Sequence, residues 1–253
     1  MGHRFELPQE AAVGVTPEEV WEAIATGPGV DSWFMGRTEV TEKAVRTDFA
    51  GLLPDSAVTA SDPPHRFAHQ SATGDDGRFV AYEFLIEGRD QGSTVVRMVT
   101  SGFLPGDDWE TEYEAMRSGL AMFFATLVEY LGHFHGRPAT PVTVFGPPVR
   151  DWPDAWRALY AELGLAAAGD VMPPPGDVVG RRVAFTPEGL PPVEGVVYFA
   201  NAQTLGVRTS GALYRFIQGM PGVMVVSHVL FAGGDTAAQE PGWQAWLGRV
   251  FAE

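Results

Sequence analysis

Histidines and a run of acids are the side chains in this sequence best suited to proton or metal chemistry. There are six histidines. His133 and His135 stand two residues apart, which on a helix separates their side chains by about 200°. A catalytic zinc needs three convergent ligands, so no metal site is expected, and the pair reads as helix-end histidines facing the C-terminal dipole. His65 lies in an Asp62-Pro63-Pro64 turn and reads as a surface residue. His69 and His228 fall in strand-like runs, where either could face a cavity. His228, among Val225, Val226, Val229 and Leu230, reads as a hydrogen-bonded core histidine. Ser227 is its neighbour, and a strand points adjacent residues to opposite sides, which makes a poor nucleophile–base pair. Asp107, Asp108, Glu110, Glu112 and Glu114 could do acid–base work if one were buried and its pKa raised. As charges opening a helix they read as a solvated face. Lys43 is the only lysine and sits in a polar run, a poor setting for a Schiff base. There is no Gly-x-Ser-x-Gly elbow, phosphate loop or dinucleotide fingerprint. The catalytic residues, if any, stay unknown.

Large and partly amphipathic side chains offer a different chemistry. Trp33, Phe34, Tyr82, Phe84, Met98, Thr100, Trp109, Tyr113, Met116 and Phe124 could line an apolar cavity. Sites for small apolar molecules are mostly such surfaces, with a few polar groups that orient the ligand. Tyr82, Thr100 and Tyr113 would supply those groups. Core and cavity lining look alike in sequence, so packing against one another is the competing role of every one of these residues.

The elements that would position them are legible from local pattern. Residues 4–14 alternate as a first strand. Thr16 is a good N-cap, Pro17 suits the first helical position, and Glu18 and Glu19 favour the positive end of the dipole. Helices are therefore expected over 17–25 and 28–34. Short strands broken by turns fill Thr38 to Thr100. In the clearest, Arg78–Glu87, Val80, Tyr82, Phe84 and Ile86 share one face and Glu83 and Glu87 the other. Val96, Met98 and Thr100 are expected to face the same side as Tyr82. A long helix over about 107–133, capped by Asp107 and Asp108, carries the stripe Met116, Leu120, Phe123, Phe124, Leu127, Val128 and Leu131. An antiparallel sheet gripping one long helix is the economical arrangement, because each covers the other's apolar face.

The chain has 253 residues, enough for two domains. Residues 134–150 are rich in proline and glycine, and the remainder of the chain echoes the first half. Asp151-Trp152-Pro153-Asp154 repeats the cap, proline and acid order of Thr16–Glu19. Strand-like runs come at 178–185, 193–200, 204–210, 212–218 and 223–231. Gly242–Phe251 matches Gly119–Val128 in glycine and apolar spacing. Two domains, 1–138 and an abbreviated 139–253, are expected, as a tandem repeat. A single domain with an extension is the alternative.

Composition excludes several partners. The net charge of −15 argues against nucleic acid and anionic membrane surfaces. No stretch approaches the roughly 20 apolar residues of a membrane span. The absence of cysteine excludes disulfides and thiolate sites. With no apolar signal core at the start, a cytoplasmic location is expected. Arginine outnumbers lysine sixteen to one, a bias expected of a GC-rich, bacterial genome.

Pro17-Glu-Glu-Val-Trp-Glu-Ala-Ile24, Asp31-Ser-Trp-Phe34, Asp62-Pro-Pro-His-Arg-Phe67 and Gly92-Ser-Thr-Val-Val-Arg-Met-Val-Thr-Ser-Gly-Phe103 occur in a familiar order. Over residues 4–135 they resemble the START-like (SRPBCC) superfamily, in the branch related to the activator of heat-shock-protein ATPase. The second half matches in outline. The resemblance implies an α+β helix-grip fold with an internal apolar cavity. The superfamily includes lipid carriers, plant hormone and allergen proteins, polyketide aromatase/cyclases and oxygenase catalytic domains, so fold alone does not choose a function. A glycine–tryptophan pair often opens the last turns of the long helix in this branch. Here Gly119-Leu120 replaces it in the first half, and Gly242-Trp243 keeps it in the second. The leading expectation is non-catalytic binding of a small, largely apolar or aromatic molecule, with no cofactor. The alternatives are a cyclase/aromatase-like enzyme acting on a polyketide-type or aromatic substrate, with Tyr82, Tyr113 or His69 moving a proton, and a chaperone-interacting module. A homodimer is compatible with all three.

Overall fold

A computed structural model describes residues 2–89, 92–107, 109–166, 172–220, 222–231 and 236–251, with the side chains of 236–238 left aside. The chain divides into two compact units, 1–139 and 140–253.

In the first unit the chain runs β1 (His3–Val13), α1 (Pro17–Ala25), α2 (Gly27–Val30), β2 (Arg37–Val40), β3 (Ala44–Asp48), β4 (Ser56–Asp62), β5 (Arg66–Ser71), β6 (Phe79–Gly88), β7 (Thr94–Leu104) and α3 (Trp109–His133). The start of α1 is set locally. Thr16 Oγ1 accepts from Glu19 N–H at 3.3 Å, while the Glu19 carboxylate accepts from Thr16 N–H at 2.8 Å, a reciprocal box that satisfies two otherwise idle donors. That bond to the Thr16 backbone also holds the Glu19 carboxyl below its usual range. Strands β2 to β7 form an antiparallel meander, and β1 returns to pair with β7, giving the order β1-β7-β6-β5-β4-β3-β2. Helix α3 lies against β1 and β7.

The second unit runs β8 (Thr140–Pro148), α4 (Trp152–Glu162), α5 (Pro175–Val178), β9 (Arg182–Phe185), β10 (Val193–Ala200), β11 (Thr204–Arg208), β12 (Ala212–Gly219), β13 (Val223–Leu230) and α6 (Thr236–Phe251). Its order, β8-β13-β12-β11-β10-β9, again closes the first strand on the last. Asp151 caps α4 by accepting from Asp154 N–H at 2.8 Å. Helix α6 packs on β8, β13 and α4. Its Trp243, Trp246 and Leu247 are fully buried with Phe185, Phe216 and Val226.

Two expected elements are shorter than their sequence pattern. The helix of 28–34 ends at Val30. Past it the backbone runs on in turns, with Trp33 N–H and Phe34 N–H both donating to Val30 O at 3.2 and 2.9 Å. The Asp31 carboxylate accepts from Thr38 N–H at 2.6 Å, and Trp33 Nε1 donates to Ala23 O at 2.9 Å. The strand of 178–185 begins only at Arg182. Pro175, with φ preset for a helix start, opens a helical turn there instead. Helix α3 starts at Trp109, and the expected cap Asp108 lies outside the described residues.

Candidate ligand site

Directly paired residues of an antiparallel sheet project to the same face, so the register defines the inner surface of the first unit. One row runs His69–Tyr82–Thr100–Leu7, and the next runs Phe67–Phe84–Met98–Gln9. Gln9 Nε2 reaches Leu120 O at 3.3 Å, which identifies this face as the one toward α3. Val96, Met98 and Thr100 share it with Tyr82, as the alternation of β7 predicts. Strands packed this way around one long C-terminal helix decide the architecture. Each unit is a helix-grip fold.

Helix α3 is packed unevenly. Trp109, Tyr113, Met116, Leu120, Phe123 and Leu127 follow one another at helical spacing. No residue from Trp109 to Gly119 is buried, whereas Leu120, Phe123, Phe124, Leu127 and Leu131 are. At Gly119 an added Cβ would meet nothing within 4 Å. The Gln9 bond thus falls where the half-exposed N-terminal part of the helix gives way to the buried C-terminal part.

The ten candidate residues fall into two aromatic groups. In the first, Phe34 bridges Trp33 (ring centroids 5.3 Å apart), Tyr82 (6.3 Å) and Phe123 (5.0 Å). Trp33 meets Phe84 edge-on at 6.0 Å. The Trp33 N–H is already used by Ala23 O, so this indole ties the α1–α2 plug to the sheet. The second group contains Trp109, stacked on His3 at 4.0 Å, and Tyr113, edge-on to Phe5 at 6.0 Å. Met98 and Thr100 lie on β7, buried and next to the first group in register. Met116 is half-buried and Phe124 buried.

His69 belongs with these residues, though its strand context alone left its direction open. Its ring stacks on Tyr82 at 5.0 Å and 21°. Its Nδ1 is buried without a hydrogen-bond partner, and so is the Thr100 hydroxyl. The two orphaned atoms therefore flank Tyr82 in one row. Burial pulls the His69 pKa down to about 4 and pushes the Tyr82 phenol up to about 12. Gln9 and Phe123 also join this surface. The period-2 pattern of β1 already points to the face of Gln9, but pairing alone carries it to α3.

The other expected reactive groups lie elsewhere. His133 Nε2 is 3.6 Å from Glu129 Oε2, and His135 Nε2 is 3.3 Å from Glu19 Oε1. Glu110 and Glu114 are exposed, while Glu112 is half-buried and paired with Arg78. Among the described residues no three histidines or carboxylates gather as a metal site. His65 and Lys43 are exposed. Ser227 and His228 bond on opposite faces of β13. Arg215 Nη2 donates to Ser227 Oγ at 3.0 Å, whereas His228 Nδ1 accepts from Arg215 backbone N–H. In the first unit a groove of about 550 Å³ runs between α1 and the residues after α3, lined by Glu18, Glu19, Glu22, Tyr130, His135 and Arg137 among others. None of the ten candidates lines it.

No family model matches the sequence, and no curated protein matches it. Several solved structures are similar in chain path. The solution structure of the Aha1 dimer from Colwellia psychrerythraea is 21% identical at a TM-score of 0.42, covering 50% of this chain and 96% of that one. DynU16, described as a putative protein in the dynemicin biosynthetic locus, is 17% identical at 0.43, over 98% of this chain and 96% of that one. The di-domain ARO/CYC BexL, from the BE-7585A biosynthetic pathway, is 14% identical at 0.45, over 97% and 91%. At such values the fold assignment rests on strand order and helix placement. No helix among the described residues is long and apolar enough to cross a membrane.

Proposed function

We propose that the first unit binds a small, largely apolar and uncharged molecule between the inner face of β5, β6, β7 and β1 and the half-exposed N-terminal part of α3. The observation that carries this reading is the row His69–Tyr82–Thr100, in which two buried polar atoms lack partners inside an otherwise apolar surface. A buried polar group without a hydrogen bond costs about 1–3 kcal/mol, a cost that a ligand oxygen or nitrogen would offset. Both orphaned atoms are out of contact with water, so the interior widens as the ligand enters. Phe34, the half-buried ring joining the sheet to α3, is the side chain whose movement opens it. The inner positions of β1, β5, β6 and β7 carry no carboxylate, guanidinium or ammonium, which disfavours a charged ligand.

The titration directions favour binding over proton transfer. An efficient general acid or base has its pKa near the working pH. Here His69 at about 4 and Tyr82 at about 12 lie far on either side of neutrality. N-phenyl-1-naphthylamine and 1-anilinonaphthalene-8-sulfonate share an apolar skeleton and differ by a negative charge. The full chain is expected to bind the neutral probe saturably and the sulfonate at least about tenfold more weakly, about 1.4 kcal/mol. His69→Phe and Tyr82→Phe should each weaken the neutral probe. Equal affinity for the two probes, or binding indifferent to both substitutions, overturns the reading.

A further inference from the structure

The second unit holds a groove of about 520 Å³ where the segment before β10, the β11–β12 turn and α6 meet, with Leu190, Pro192, Ser210, Tyr214, Gln239 and Trp243 among its lining. That is a suitable size for a small molecule. His228 does not line the groove but packs against two residues that do: it is fully buried, with its ring 4.3 Å from that of Trp243 and 4.8 Å from that of Tyr214. Nδ1 of His228 accepts the Arg215 backbone N–H at 3.0 Å, so in the neutral imidazole the proton sits on Nε2. Burial and the Arg215 charge both hold this histidine neutral.

Two N–H donors result, His228 Nε2–H and Trp243 Nε1–H, on rings in edge contact. Both are buried, and neither meets an acceptor among the described residues. Indole N–H can only donate, and this imidazole has its acceptor nitrogen occupied, so the missing partner must be an acceptor. Arg215 is buried on the opposite side of the same sheet, donating to Ser227 O and Oγ, and Glu194 is the carboxylate on the groove's own wall. The walls contribute flat apolar surface from Tyr214, Trp243, Leu190 and the Pro191-Pro192 pair.

The geometry points to a second ligand site, independent of the first unit, in which a planar apolar molecule lies in the groove against Tyr214 and Trp243 and, as the side chains that cover the two donors part, its carbonyl oxygen accepts from Trp243 Nε1–H and His228 Nε2–H. The bicyclic ketone 1-tetralone and its oxygen-free counterpart tetralin are probes that differ only in that atom. In the full chain labelled with ¹⁵N, the Trp243 indole signal, assigned by triple-resonance connectivity in the unmutated protein, should move downfield and saturate with 1-tetralone but not with tetralin. Trp243→Phe, which keeps a ring and deletes the donor, should weaken 1-tetralone binding about five- to tenfold. The same titration decides the matter even where that variant folds poorly. An unmoved Trp243 signal, an equal response to tetralin, or a crystal grown with 1-tetralone in which a water bridges both donors overturns the proposal.

Discussion

The two units share an order of strands and a C-terminal helix but fill their interiors differently. Helix α6 carries Gly242-Trp243, and α3 carries Gly119-Leu120. A Cβ on Gly242 would stand 2.5 Å from Leu190 Cδ2, whereas one on Gly119 would meet nothing within 4 Å. Trp243 and Trp246 lie within 6.4 Å of Phe185 and Phe216, ring to ring, and make a continuous aromatic core. In the first unit no side chain from Trp109 to Gly119 is buried. The C-terminal helix of the second unit is thus packed by large aromatic side chains, whereas the N-terminal half of α3 in the first is only half-covered.

Truncating the packed side is the most severe way to break this contrast. Trp246→Ala should cost about 3–5 kcal/mol, the range for aromatic deletions in a close-packed core. Tyr113→Ala, on the half-buried stretch of α3, should cost about 1 kcal/mol. Urea unfolding, followed separately for each unit by assigned NMR signals, checks the pair. Comparable losses would remove the distinction.

Acid sharpens it next. The His69 pKa lies at about 4 in the folded chain against 6.5 unfolded, so between these values the unfolded state binds the additional proton. Stability is then complete above about pH 6.5 and falls as pH drops toward 4, by on the order of 3 kcal/mol. His69→Phe should flatten that limb in the first unit. The second unit should keep its own, because His228 is also held neutral by burial.

The two helix glycines give a third comparison. Gly242→Ala should destabilise by about 1–3 kcal/mol through overpacking on Leu190. Gly119→Ala should stabilise by about 0.5–1 kcal/mol through helix propensity alone. Thermal unfolding of the two variants should move in opposite directions, and a shared direction would contradict the open space at Gly119. The smallest effect concerns Thr100. Thr100→Val replaces an unpartnered buried hydroxyl by a methyl and should stabilise by about 1 kcal/mol while weakening ligands that bond to that hydroxyl. A variant that loses stability would show that the hydroxyl is satisfied in the free protein.

What could be read in advance was local. Thr16, Pro17 and Glu19 specify the start of α1 within four residues, and the structure contains both bonds of that box. The alternation of Val80, Tyr82, Phe84 and Ile86 separates two faces whatever strand lies beside them. The stripe of α3 announces a helix with one apolar side. Composition, the missing cysteine and the net charge act the same way, because they depend on residue identity and not on neighbours in space.

Everything that made a site was non-local. The pairing of His69 with Tyr82 and of Tyr82 with Thr100 joins residues 13 and 18 positions apart, and it alone leaves two polar atoms without partners. The helix expected over 28–34 is regular only to Val30 and runs on as turns, in which Trp33 and Phe34 N–H both donate to Val30 O, while the Trp33 and Asp31 side chains reach Ala23 and Thr38. His228 became a donor through a backbone N–H 13 residues away. Residue order sets propensity and periodicity, which are properties of a few adjacent groups. Burial, orphaned hydrogen-bonding atoms and the open space beside Gly119 arise only when distant segments exclude water together.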